Sequence, residues 1–242
     1  MAEKRIALVT GANRGIGYET VRQLAGLGHT VWFGARDAER GQAAERALRA
    51  DGADVRFLVL DVLNDESVAG AAKQVEQVSG KLDILVNNAG VALDSNIPPS
   101  EVPLPMVEAT FDVNVFGCIR ATQAFLPLLH KSAAGRVVMV SSDMGSHAHQ
   151  TNPAFPYYPF NPMAYIASKA ALNAITIAFA KELRGSPIKV NAANPGFTAT
   201  DLNDHRGVYT AEQGATPIVK LATLPDDGPT GVFIGPEGPE PW

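Results

Sequence analysis

This chain of 242 residues is poorest in cysteine and tryptophan, with one and two of them, and it carries fewer basic than acidic side chains, 20 Lys and Arg against 25 Asp and Glu. The lone Cys118 excludes an intrachain disulfide. Its neighbours Val115, Phe116 and Ile119 mark it as a buried small hydrophobe and not a reactive thiol. A net charge of -5 without a basic stripe argues against nucleic acid as a partner. The N-terminal "MAEKRIALVT" leads two basic residues into an apolar run too short for a signal peptide. No uninterrupted apolar stretch is long enough to span a bilayer, so no membrane partner is expected and the expected location is cytoplasmic. There is no internal repeat, and no composition break divides residues 1–242, which are expected to form one domain.

What is present is an alternation. Runs rich in β-branched residues, at 6–9, 30–35, 54–60, 83–86, 136–141 and 188–192, are separated by helical patterns, and "GVFI" at 231–234 offers one more strand. Strands so continuously hydrophobic need cover on both faces. The expected fold is α/β, a doubly wound, Rossmann-type parallel sheet between helix layers.

Directly after the first strand stands "TGANRGIG". Glycines at a strand-to-helix turn let the backbone approach a pyrophosphate, whose charge meets the free N–H groups of the helix. Gly11, Asn13, Arg14, Gly15, Ile16 and Gly17 are therefore candidate dinucleotide-binding residues. At the end of the second strand, where an NAD-preferring site holds an acid, Ala35 is followed by Arg36. Arg14 and Arg36 could converge on a 2′-phosphate, which favours NADP(H), although Asp37 could turn inward or pair with Arg36.

The sequence resembles the short-chain dehydrogenase/reductase family over nearly its whole length. The resemblance rests on "TGANRGIG", "LDV" at 60–62, "NNAG" at 87–90, Asn114, Ser142, "YIASK" at 165–169 and "NPG" at 194–196, in register. It implies a sheet of about seven strands. It also implies Asp61 and Val62 near the adenine, Asn88 and Gly90 near the adenosine ribose, and Pro195, Gly196 and Thr200 near the nicotinamide.

Tyr165 and Lys169 stand four residues apart, hence on one helix face. A cation about 4 Å from the phenol, at an effective dielectric near 20, supplies on the order of 4 kcal/mol, enough to lower the tyrosine toward neutrality. The resemblance implies that Tyr165 is the general acid/base and that Lys169 tunes it and holds the nicotinamide ribose. It further implies that Ser142, with Ser141 as rival, binds the substrate carbonyl and that Asn114 anchors a proton-relay water. The expected activity is reduction of a ketone or aldehyde by NADPH. A non-catalytic NADP(H)-sensing protein on this fold and an epimerase or dehydratase relative are the alternatives.

Between Ser142 and Tyr165, the insert 143–164 carries four prolines among Phe155, Tyr157, Tyr158 and Phe160. It reads either as an aromatic wall for an apolar or aromatic carbonyl substrate or as a loop packed on its own rings. His147 and His149 lack a third ligand, so no metal is expected. Together with the C-terminal segment, this insert is similar to the carbonyl-reductase-like branch. Residues 197–224 are expected to form a substrate lid, and Asn161 to cap the helix of Tyr165 with Pro162 in its first turn. Homodimer, homotetramer and monomer all stay open.

Overall fold

The computed structural model describes residues 4–242. Seven parallel strands occupy the seven β-branched runs: β1 (Ile6–Thr10), β2 (Thr30–Ala35), β3 (Val55–Val59), β4 (Ile84–Asn87), β5 (Arg136–Val140), β6 (Lys189–Ala193) and β7 (Phe233–Gly235). A two-residue antiparallel strand, β8 (Gly238–Pro239), adds an eighth at the edge. The order is β3-β2-β1-β4-β5-β6-β7-β8, so the chain leaves β1 toward one edge and returns at β4 to build toward the other. Such a reversal opens a crevice beyond the carboxyl ends of the strands.

The described residues form eight α-helices: α1 (Gly15–Gly26), α2 (Ala38–Ala50), α3 (Asp65–Ser79), α4 (Leu104–Phe111), α5 (Gly117–Leu129), α6 (His147–Gln150), α7 (Met163–Glu182) and α8 (Ala211–Ala222), of which α1, α2, α3, α5, α7 and α8 pack on the sheet. Neighbouring strand residues point to opposite faces and feed two cores. Leu8, Leu85 and Met139 pack with Val75, Phe125 and Leu172. Val9, Val86 and Val138 pack with Leu24, Leu48 and Ile218. Each fully buried aliphatic or aromatic side chain in these cores contributes roughly 1.5–3 kcal/mol.

The expected cap of α7 changes at this level. By length and composition Met163–Gly185 is apolar enough to cross a membrane, although Lys169, Lys181 and Glu182 interrupt it, so no uninterrupted apolar run is present there. α7 nevertheless buries Ser168, Lys169, Asn173 and Thr176 against the protein, a polar stripe that makes it a helix of this fold. Within 197–224, the residues from Phe197 to Arg206 other than Asp204, and Ala211 at the start of α8, line the crevice, whereas Ile218, Leu221 and Ala222 of α8 belong to the core. Asn161 does not cap α7. Asp94, from the loop after β4, accepts from the N–H groups of Ala164 (2.6 Å) and Tyr165 (3.3 Å), and Pro162 precedes the first helical turn.

Candidate active site

One cavity of about 880 Å³ runs along the carboxyl ends of the strands from the glycine turn to the insert. Of the sequence-predicted site residues, only Asn114 does not line it.

At its dinucleotide end, Gly11 and Gly15 have φ values of 63° and 58°, a left-handed backbone that favours glycine. A Cβ on Gly11 would lie 2.8 Å from the Ala89 backbone, so the turn closes only without a side chain. The Asn88 amide ties it down by donating to the carbonyls of Thr10 (2.9 Å) and Gly11 (3.1 Å). α1 has no side-chain cap and no acid in its first turn, which leaves its first N–H groups as donors for an anion.

The two arginines are not equivalent. Arg36 forms no ion pair among the described residues, because Asp37 turns away, capping α2 through the Arg40 N–H (3.0 Å) and pairing with the Arg40 side chain. Arg14 instead forms an ion pair with Asp201, in the segment between β6 and α8, whose other oxygen meets His205 Nε2 at 2.8 Å. The pair of guanidinium groups expected at one phosphate is therefore, in this conformation, one.

At the other end stand Ser142, Tyr165 and Lys169. Ser141 is committed to the helix behind, donating to Asn173 Oδ1 at 2.5 Å, whereas Ser142 lies beside the Tyr165 phenol. Lys169 Nζ donates to the Val140 carbonyl at 2.8 Å and sits 5.7 Å from the centre of the Tyr165 ring. The electrostatic expectation from sequence is reversed. Burial pushes the phenol up to about 12, with Ser142 opposing and Asp143 adding to the rise. Burial likewise lowers the Lys169 ammonium to about 8. Desolvation penalises both charged forms more than the pair at this separation compensates.

Asn114 lies in a single π turn, Asp112–Phe116, between α4 and α5. Its side chain is buried and fully engaged, accepting from Val91 N (2.8 Å) and donating to Val91 O (2.9 Å) and Ser168 Oγ (3.0 Å). It thereby ties the strand-end loop to α7. Gly90 leaves it facing Lys169: a Cβ there would be 3.4 Å from Asn114 Oδ1 and 3.7 Å from Lys169 Nζ.

The insert packs partly on its own rings and partly along the cavity. Phe155 is buried and stacks on His149 at 4.7 Å, while Tyr157 reaches Phe197 at 5.4 Å and joins Phe160 on the cavity wall. The sequence reading missed Asp143, Asp94, Asp201 and Glu240. Asp143 was visible as an acid adjoining Ser142. The other three act across long sequence separations: Glu240 accepts from Asn194 (2.9 Å) and meets His149 Nε2 (3.0 Å), joining the C-terminal segment to the "NPG" turn and the insert.

Comparison with known proteins agrees with this geometry. The sequence pattern of the family described as short chain dehydrogenase matches residues 5–208. The short-chain dehydrogenase anuI of Penicillium roqueforti is 38% identical over 226 residues, covering 91% of this chain and 89% of that protein. The (+)-neomenthol dehydrogenase of Arabidopsis thaliana is 35% identical over 290 aligned positions, covering 97% of each. The second alignment is longer than this chain, so that relative carries several dozen residues without a counterpart here. Among solved structures, the NADPH-bound carbonyl reductase from chicken fatty liver superposes with a TM-score of 0.87 at 27% identity, covering 99% of this chain and all of that one.

Proposed function

The chain belongs to the short-chain dehydrogenase family of oxidoreductases, and from that premise we propose that it reduces a ketone or aldehyde to an alcohol with NADPH. The observation that carries this reading is the single cavity, which joins the glycine turn to Ser142, Tyr165 and Lys169.

The donor set suits a dinucleotide phosphate. The uncapped start of α1 would hold the pyrophosphate, and unpaired Arg36, with no acid at Ala35, would hold the 2′-phosphate. Asp61 and Val62 would border the adenine, Asn88 and Gly90 the adenosine ribose, and Pro195, Gly196 and Thr200 the nicotinamide. NADPH, when bound, supplies the hydride. Every other part of the reaction falls to side chains of this chain.

The Ser142 hydroxyl turns its one proton from Asp143 Oδ1 to the substrate carbonyl oxygen and orients that oxygen toward the phenol of Tyr165. A phenol at about 12 is fully protonated at neutral pH, the form a reduction needs, and its proton passes to the carbonyl oxygen as charge builds there. Lys169, at about 8, is mostly an ammonium at neutral pH. Its Nζ, 5.7 Å from the centre of the Tyr165 ring, favours the phenolate left behind. Asn114 positions the loop and helix that carry these groups. Residues 197–210 act as the lid, with Thr200 against Gly15 and Asp201 holding Arg14.

The test is NADPH consumption across aromatic, aliphatic and quinone carbonyls, with Tyr165→Phe alongside. The variant is expected to bind NADPH as the parent does, read by nucleotide fluorescence, and to lose about three orders of magnitude or more in kcat. A variant as active as the parent would overturn the assignment of the proton donor.

A further inference from the structure

At the substrate end, Leu93, Met144, Tyr157, Phe160 and Phe197 make an aromatic and aliphatic wall, interrupted beside Ser142 by a carboxylate, Asp143. Its Oδ1 is used twice, accepting from the Ser142 hydroxyl at 3.1 Å and from the Met144 N–H at 2.8 Å. Its Oδ2 takes no hydrogen bond, and no lysine or arginine pairs with it, among the described residues. His149, whose charge reaches it, is held by Glu240 at 3.0 Å and stacked on Phe155. Burial, together with repulsion from Glu240, pushes the Asp143 carboxyl up against the opposing pull of Ser142.

Oδ2 is not among the fully enclosed polar atoms, and Asp143 lines the cavity, so a ligand there that brings a donor can take this oxygen. The place of that donor is set by Ser142. Because the carboxyl lies 3.1 Å from the hydroxyl that receives the carbonyl oxygen, it addresses the atom attached next to the carbonyl. A hydroxyl or amine on that atom, as in an α-hydroxy or α-amino ketone, falls within reach of a carboxyl so placed.

We infer that the substrate is an apolar, preferably aryl, ketone carrying a hydrogen-bond donor on the carbon adjacent to its carbonyl, and that Asp143 selects it. This rests on the reductase reading above. The donor can be a neutral hydroxyl or a protonated amine, and the two are separated by experiment.

Three ketones of matched size serve as probes: propiophenone, with no donor; 2-hydroxyacetophenone, with a hydroxyl; and 2-(methylamino)acetophenone, with a cation. In NADPH-dependent reduction, kcat/KM for at least one donor-bearing ketone is expected to exceed that for propiophenone by about 10-fold or more. A hydroxyl preference surviving in Asp143→Asn with the amine advantage lost assigns the cation to the carboxylate charge. Equal kcat/KM for all three ketones in the unaltered enzyme overturns the proposal, and that arm needs no variant to fold.

A second arm needs no turnover. Calorimetric titration with 2-(methylamino)-1-phenylethanol is expected to show binding that weakens about 10-fold or more in Asp143→Asn. Binding that depends on Asp143 without reduction of any ketone leaves Asp143 as the contact for the donor but sinks the reductase reading and, with it, the ketone as substrate. Reduction of propiophenone without discrimination does the reverse, and absence of amine binding together with equal kcat/KM removes the role of Asp143.

Discussion

The two edges of the sheet treat polar groups in opposite ways. At the edge formed by the amino ends of the strands, Arg136 is 1% exposed, yet its guanidinium donates to Leu224 O at 2.8 and 3.0 Å and to Gly135 O at 2.8 Å, and pairs with Asp226 at 3.0 Å. Asp83, beside it, would be pushed up by burial. The Ser132 hydroxyl, the Ile6 N–H and Lys81 outweigh that and hold it below the usual carboxylate range. One guanidinium nitrogen of Arg5 is an exception that nothing in the structure explains. At the carboxyl edge the balance is the reverse: Arg36 is unpaired, Asp143 is half used, and Lys169 and Tyr165 are both displaced against their charged forms. The same hydrophobic core lies between them. The closed edge stabilises the fold, and the open one holds groups in readiness for ligands.

The contrast can be broken from either side. The largest effect on stability is expected from Arg136→Met, which leaves the Leu224 and Gly135 carbonyls without their donors. It should cost about 3 kcal/mol in urea unfolding while kcat stays near the parent value. A loss under about 1 kcal/mol would remove the distinction between the edges.

Lys169→Met should do the opposite, abolishing turnover while raising stability by about 1–2 kcal/mol at pH 7. A lysine lowered from 10.5 to about 8 binds its proton less tightly in the folded state than in the unfolded one. Below pH 8 the native protein therefore bears the full penalty of a buried ammonium, and the penalty is relieved as pH rises from about 8 to 10.5. Parent and variant unfolding curves should converge across that window; a constant gap would mean that the ammonium is not desolvated.

Arg36→Ala is expected to weaken NADPH binding by about 10- to 100-fold and leave NADH binding nearly unchanged, the loss of one charge-assisted contact to a phosphate. Equal losses for both nucleotides would assign Arg36 to something other than the 2′-phosphate. The smallest effect belongs to Cys118, whose thiol burial pushes up to about 11. A thiol reagent at pH 8 should label it only after unfolding, at a rate set by global opening.

What was legible in the sequence was local. The glycine turn, the strand that ends in Ser142, and the four-residue step from Tyr165 to Lys169 all depend on spacing within one element, and all of them line the cavity. The sheet followed from hydrophobic runs in the same way. What escaped depends on distant partners: Asp94 reaches the start of α7 across about 70 residues, and Glu240 joins Asn194 and His149 from beyond β8. Local pattern could not reveal that Arg14 meets Asp201 or that Lys169 is directed to Val140. The pKa directions failed for the same reason, since a spacing rule supplies the partner but not the depth of burial.

The π turn at Asp112–Phe116, closed by the Gly117 N–H on the Asp112 carbonyl, inserts one extra residue into what would otherwise be a continuous helix. Removing one residue other than Asn114 from that stretch would restore regular winding and leave α4 and α5 in line, since the wide turn takes up the extra residue by itself. The amide of Asn114 would then no longer be set out toward Val91 and Ser168. Surface loops here can lengthen or shrink at little cost, whereas in these five positions the count of residues decides whether that amide meets its partners.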